Sequence, residues 1–126
     1  MLFRSRNMNL DFIHISCWDV FAKPQTIHNQ SKTLTQIITE SYDSLPTIIS
    51  TGGVWSSSDA NKLLMQGCDL VGVGRVAIAH PEWPKKIKDE NYNPKKPPFN
   101  FKELKKAKLN DTFINYMRNW NNFVEN

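Results

Sequence analysis

The chain has 126 residues, 40% hydrophobic, 22% charged and 11% aromatic, with a formal net charge of +4. This is the composition of an ordinary soluble globular protein, and no apolar run approaches the ~18 residues of a membrane span, which excludes an integral helical membrane protein. Nine lysines fall between positions 85 and 108, but Glu82, Asp89, Glu90 and Glu103 lie among them, the pattern of a solvated face rather than a nucleic-acid footprint.

The N-terminal stretch MLFRSRNMNLDF lacks the apolar segment of a secretory signal, so a cytoplasmic address is expected. Residues 1–9 are polar, without periodicity, and run straight into a strand over 10–16. A natural domain rarely begins so, and a truncation is expected. Within the strand Phe12, His14 and Ser16 share one face, and Ile13 and Ile15 the other. The isoleucine face suits packing beneath helices, and a histidine on the opposite face is more often a hydrogen-bonded core residue than an acid or base.

Residues 17–30 are irregular, carrying Trp18, Asp19, Phe21, Pro24 and His28; Trp18 and Phe21 either wall a ligand or cap the mouth of the fold. A helix over 31–42 follows, with Leu34, Ile37 and Ile38 facing inward. Pro46 opens a strand over 47–51, a first position where a missing N–H does little harm. After Val54 and Trp55, Ser56, Ser57 and Ser58 offer N-caps for a helix reaching about Gln66, which buries Ala60, Leu63 and Leu64 and ends at Gly67.

Residues 69–73 form a nearly continuous apolar run, expected for a strand buried on both faces. Gly74 and Arg75 then lead into a short helix over 76–79, and Pro81 starts another through Lys88, anchored by Trp83. The segment NYNPKKPPFNF reads as an extended surface linker. Two tail helices, 101–108 and 111–123, close the chain. In the second, Phe113, Ile114, Met117, Trp120 and Phe123 recur at helical spacing as a packing face.

Strand, helix and strand in this rhythm imply a parallel sheet with right-handed crossovers. Two successive strands end in glycine, at Thr51-Gly52-Gly53 and at Gly74-Arg75. Glycine lets backbone N–H groups approach an anion, and arginine adds a permanently charged planar fork suited to phosphate oxygens. Cys17 and Cys68 match neither a C-x-x-C pair nor a metal cluster, and read as reduced thiols.

The run LDFIHIS, the STGGV turn and the stretch CDLVGVGRVAIAHPEW together resemble the C-terminal part of the old yellow enzyme family, the NADH:flavin oxidoreductases, over residues 10–88. The resemblance implies an α/β fold, the last three or so βα units of a TIM (β/α)8 barrel over 1–89, with a linker and helical tail over 90–126. It implies FMN as cofactor and NAD(P)H as reductant, with a small-molecule acceptor, in an intact parent enzyme. Gly52, Gly53, Gly74 and Arg75, with Thr51 a weaker member, would hold the FMN phosphate. No residue here matches the family's catalytic groups, which come from earlier strands.

A complete barrel of this kind needs roughly 250 residues, so the chain is about half a domain. It is expected to be inactive alone, and to self-associate through exposed strand edges, with neither nucleic acid nor membrane as partner. Two other readings stay open. One is a fragment of a tRNA-dihydrouridine synthase-like FMN barrel, although that family usually has Asn-Gly-Asp where this chain has Thr-Gly-Gly. The other is a non-enzymatic half-domain that docks on another barrel subunit.

Overall fold

The computed structural model describes residues 9–25 and 31–125. His28, expected in the loop after the first strand, and nearly all of the lead-in 1–9 lie outside the described residues. The chain divides into two compact units, Met1–Val54 with Ser58–Val73, and Trp55–Ser57 with Gly74–Asn126.

The first unit is built on three parallel strands, β1 (Phe12–Ser16), β2 (Thr47–Thr51) and β3 (Leu70–Gly72), in the order β1-β2-β3. Helix α1 (Leu34–Glu40) connects the first two, and helix α2 (Ser57–Leu64) lies between the second and third in sequence. The fold is therefore α/β with a parallel sheet, as the alternation of apolar runs and helical periods implies.

One sheet face carries Ile15, Ile48 and Ser50, all buried, and makes the core with Ile38, Ala60 and Leu63. Ile38 faces this core as expected, Leu34 and Ile37 are partly buried, and Thr35 joins the inward face, its hydroxyl meeting that of Ser50 at 2.8 Å with both residues fully buried. Each hydroxyl satisfies the other, so the polar pair is tolerated in an apolar layer. Thr33 caps α1 through a capping box with Gln36. Gly67 ends α2 at φ +96, and a side chain there would strike Thr39, whose hydroxyl donates to the Gln66 carbonyl at 2.8 Å.

The other sheet face is open. Phe12 is 54% and Leu70 53% exposed, and His14 and Ser16 are exposed beside them. β3 is shorter than the run 69–73 and is not buried on both faces, since Leu70 stands on the open face. Asp69 instead clamps β2: its backbone N–H donates to the Ile48 carbonyl at 2.9 Å and its carboxylate accepts from the Ile48 N–H at 2.7 Å. Leu64, expected inside, is exposed.

The second unit contains α3 (Arg75–Ala79), α4 (Trp83–Lys86), α5 (Phe101–Lys106) and α6 (Asp111–Met117). Its centre is Phe99, buried, with ring centroids 5.3 Å from Phe123, 5.7 Å from His80 and 6.3 Å from Trp55. The backbone joins this cluster too, since Phe99 N–H donates to the Phe123 carbonyl at 2.9 Å and Glu125 N–H to that of Phe99 at 2.9 Å. The proline-rich segment thus supplies a core residue rather than only a surface linker.

Trp83 is the expected anchor, buried and donating through Nε1 to the Trp55 carbonyl at 2.7 Å. Asn100 and Asn110 cap α5 and α6. The last helix stops at Met117, short of 123, and the packing face narrows to Ile114, Met117 and Phe123, with Trp120 exposed. Among the described residues no helix is long and apolar enough to cross a membrane.

Candidate functional site

The strand tips carry the expected anion site. β2 is level with both neighbours at its C-terminal end, Thr51 pairing with Ser16 on one side and with Gly72 on the other. The chain leaves β2 through Gly52 at φ +144 and Gly53 at φ +72, conformations that residues with a Cβ rarely adopt. The loop after β1 folds back onto this exit. Cys17 N–H donates to the Thr51 carbonyl at 2.8 Å, and Val20 N–H to the Gly52 carbonyl at 3.2 Å.

That crossing gives Gly52 a reason internal to the fold. A Cβ built on it would lie 2.2 Å from the Cys17 carbonyl oxygen, a distance that no packing adjustment of side chains relieves. A Cβ on Gly53 would lie 3.4 Å from the Asp19 carboxylate, whose Oδ1 also accepts from the Phe21 N–H at 2.9 Å. Burial, and then the charge of Asp19, pushes the Cys17 thiol above its ordinary value. The thiol therefore stays protonated at neutral pH.

On the open face of the sheet a polar pair bridges β1 and β2. His14 Nε2 and Thr51 Oγ1 are 2.7 Å apart, the tautomer deciding which donates. The Thr51 side chain leans over Gly72, where an added Cβ would fall 1.7 Å from its Oγ1. From the sequence Thr51 is a weaker phosphate contact and His14 a core residue, whereas His14 is exposed. The signal that was present is strand alternation, which puts His14 on the face opposite Ile13 and Ile15.

The remaining expected residues open α3 in the second unit. Gly74 is its N-cap residue, at φ −122 with no side-chain cap, and a Cβ there would meet nothing within 4 Å. Arg75 is the first helical residue, partly buried and engaged with its surroundings. Thus Thr51, Gly52 and Gly53 are gathered with 17–20 in the first unit, and Gly74 and Arg75 belong to the second. Among the described residues no group of three or more His, Cys, Asp or Glu side chains is placed to hold a metal ion.

No family model matches the chain. Among curated proteins it is similar to the "Probable NADH-dependent flavin oxidoreductase YqiG" of Bacillus subtilis (strain 168), 30% identical over 80 residues. The match covers 64% of this chain, and spans only 22% of the length of that relative.

Proposed function

We propose that the chain is a C-terminal piece of a (β/α)8 barrel flavoenzyme of the old yellow enzyme type, an FMN-dependent NAD(P)H oxidoreductase, and that it supplies the loops for the FMN phosphate. The observation that carries the reading is the pair of level parallel strand ends, Thr51 beside Gly72, with two glycines at positive φ leaving the first. Loops after the last two strands are where barrels of this kind hold phosphate. Similarity to a flavin oxidoreductase supports the same class, and the short span of that match supports a partial domain.

The residues fit the phosphate end of FMN in part. Gly74 leaves space where a side chain would stand, and Arg75 brings a guanidinium whose donors match phosphate oxygens. Gly53 offers a backbone N–H with no bulk in the way, but the Asp19 carboxylate stands close to it and opposes an anion there. Gly52 contributes by backbone alone. In the intact enzyme the flavin would take hydride from NAD(P)H and pass it to an activated alkene or similar acceptor.

The chain itself binds and does not turn over. In the resembling family the groups that orient substrate and deliver a proton come from other strands, and the outer edges of β1 and β3 are where further strands or a second copy would pair. Each charge-assisted contact contributes ~1.5–3 kcal/mol, against an association cost of ~4 kcal/mol or more, so binding by the phosphate end alone is weak.

The test is a fluorescence titration of the chain with FMN and with riboflavin, which lacks the phosphate. FMN is expected to be quenched with 1:1 stoichiometry and riboflavin not, and Arg75→Ala is expected to remove the difference. Equal response to the two flavins would sink the phosphate assignment.

A further inference from the structure

The second unit holds a cavity of about 380 Å³ between α3 and α4 on one side and α5 on the other. That is within the ~300–1,000 Å³ usual for small-molecule sites. Its accessible apolar surface comes from Ala79, Pro81 and Ala107, set over Phe99 and Leu104, which are fully buried beneath them.

Its rim is charged, and nearly all of the charge is paired. Lys86 Nζ stands 3.3 Å from Glu82 Oε1. Lys95 Nζ donates to both carboxylate oxygens of Glu103, at 2.7 and 2.8 Å. His80 is fixed as well, its Nε2 2.9 Å from the Lys95 carbonyl and its ring edge-on to Phe99. The Glu103 carboxyl is held below its ordinary 4.5 by the bond from Lys95 and then by the Asn100 N–H. Both rim carboxylates are ionised at neutral pH, and each faces its own lysine. Lys106, the last residue of α5, lines the same cavity and has no ion-pair or hydrogen-bond partner among the described residues.

An apolar floor with one uncompensated cation at its edge selects for a compact apolar body carrying a single negative charge. A cation would find no unpaired carboxylate, and a neutral polar molecule would lose hydration against Ala79, Pro81 and Ala107 without recovering it. We propose that this cavity binds small aromatic or short-chain carboxylates, the body lying on Ala79, Pro81 and Ala107 and the carboxylate meeting the Lys106 ammonium. The site is independent of the flavin reading, since none of its residues is among the proposed phosphate contacts.

The test uses the full chain, isotope-labelled, with amide shifts followed during titration with benzoate and with benzyl alcohol. Benzoate is expected to give saturable shifts confined to residues 79–82 and 99–107. Benzyl alcohol, with the same ring and no charge, is expected to bind roughly fivefold more weakly, about 1 kcal/mol for a solvent-exposed charge contact. Lys106→Met, at an exposed rim position, is expected to make the two ligands equal. Absence of saturable shifts, shifts spread over the strands, a preference for benzoate that survives Lys106→Met, or a collapsed spectrum in which no cavity forms would each overturn the assignment.

Discussion

At Gly52 a side-chain carbon would sit 2.2 Å from a backbone oxygen of Cys17, whereas at Gly74 it would meet nothing within 4 Å. Both glycines follow a strand, and from sequence both read as openings for a phosphate. Their surroundings differ. Gly52 is demanded by the fold, because the chain after β1 crosses the tip of β2, so its presence says little about a ligand. Gly74 answers no packing need, and a ligand reading has more to explain there. A glycine is informative about function in proportion to how little the protein itself requires it.

The largest expected effect follows from the closed site. Gly52→Ala places a Cβ against backbone at φ +144, combining a strained conformation with overpacking, and about 3–5 kcal/mol of stability is expected to be lost. Urea unfolding followed by circular dichroism measures it. A loss below about 1 kcal/mol would mean that residues 17–20 do not rest on the tip of β2, and the contrast with Gly74 would disappear.

Gly72 is an intermediate case, since what stands in the way of a Cβ is the Thr51 side chain at 1.7 Å and not backbone. Gly72→Ala is expected to cost about 1–3 kcal/mol, by pushing Thr51 aside and breaking its contact with His14. In a Thr51→Ala background the same change is expected to cost at least ~0.5 kcal/mol less, a coupling that a double-mutant cycle in urea reads directly. Simple additivity would contradict the packing of Thr51 over Gly72.

The Asp19 carboxylate gives a smaller, chemical handle on the same tip. It raises the Cys17 thiol pKa, although burial raises it more. Asp19→Asn keeps an oxygen to accept from the Phe21 N–H and removes the charge, so the thiol pKa falls and more thiolate is present at pH 8. Iodoacetamide alkylation of Cys17 is expected to quicken by about twofold, the rate following the thiolate fraction. An unchanged rate would mean that Asp19 does not face this thiol. The variant also tests the phosphate reading, because a carboxylate removed from beside Gly53 should strengthen FMN binding.

The bounds of β2 were legible because Pro46 and Gly52-Gly53 punctuate it on both sides. β3 is shorter than its sequence suggests: the apolar run 69–73 resembles a strand buried on both faces, while Asp69 serves as a clamp on Ile48 and Leu70 is exposed. Hydrophobic pattern also passed over the Thr35–Ser50 hydroxyl pair, since two polar residues far apart in sequence give no periodicity. Phe99 was invisible for a similar reason, as an isolated aromatic among prolines becomes core only through Phe123, His80 and Trp55. The periodic stripe runs beyond the end of α6 because periodicity ignores Asn119, Asn121 and Asn122, poor helix formers, the last at φ +59. In the candidate site the position of the glycine turn was legible, but the reason for Gly52 rests on a long-range approach by Cys17 that spacing does not reveal.

The smallest expected effect on stability is at Gly74, and its smallness is what makes it useful. With nothing within 4 Å of an added Cβ and φ at −122, Gly74→Ala is expected to change stability by less than about 1 kcal/mol. If the opening serves a phosphate, a Cβ there obstructs the approach without disturbing the fold, and FMN quenching should weaken while the urea midpoint hardly moves. Gly74→Val should weaken it further, since two more carbons enter the same space. An unaltered FMN titration in both variants would leave Gly74 without a role in the ligand site and confine any anion contact in this stretch to Arg75.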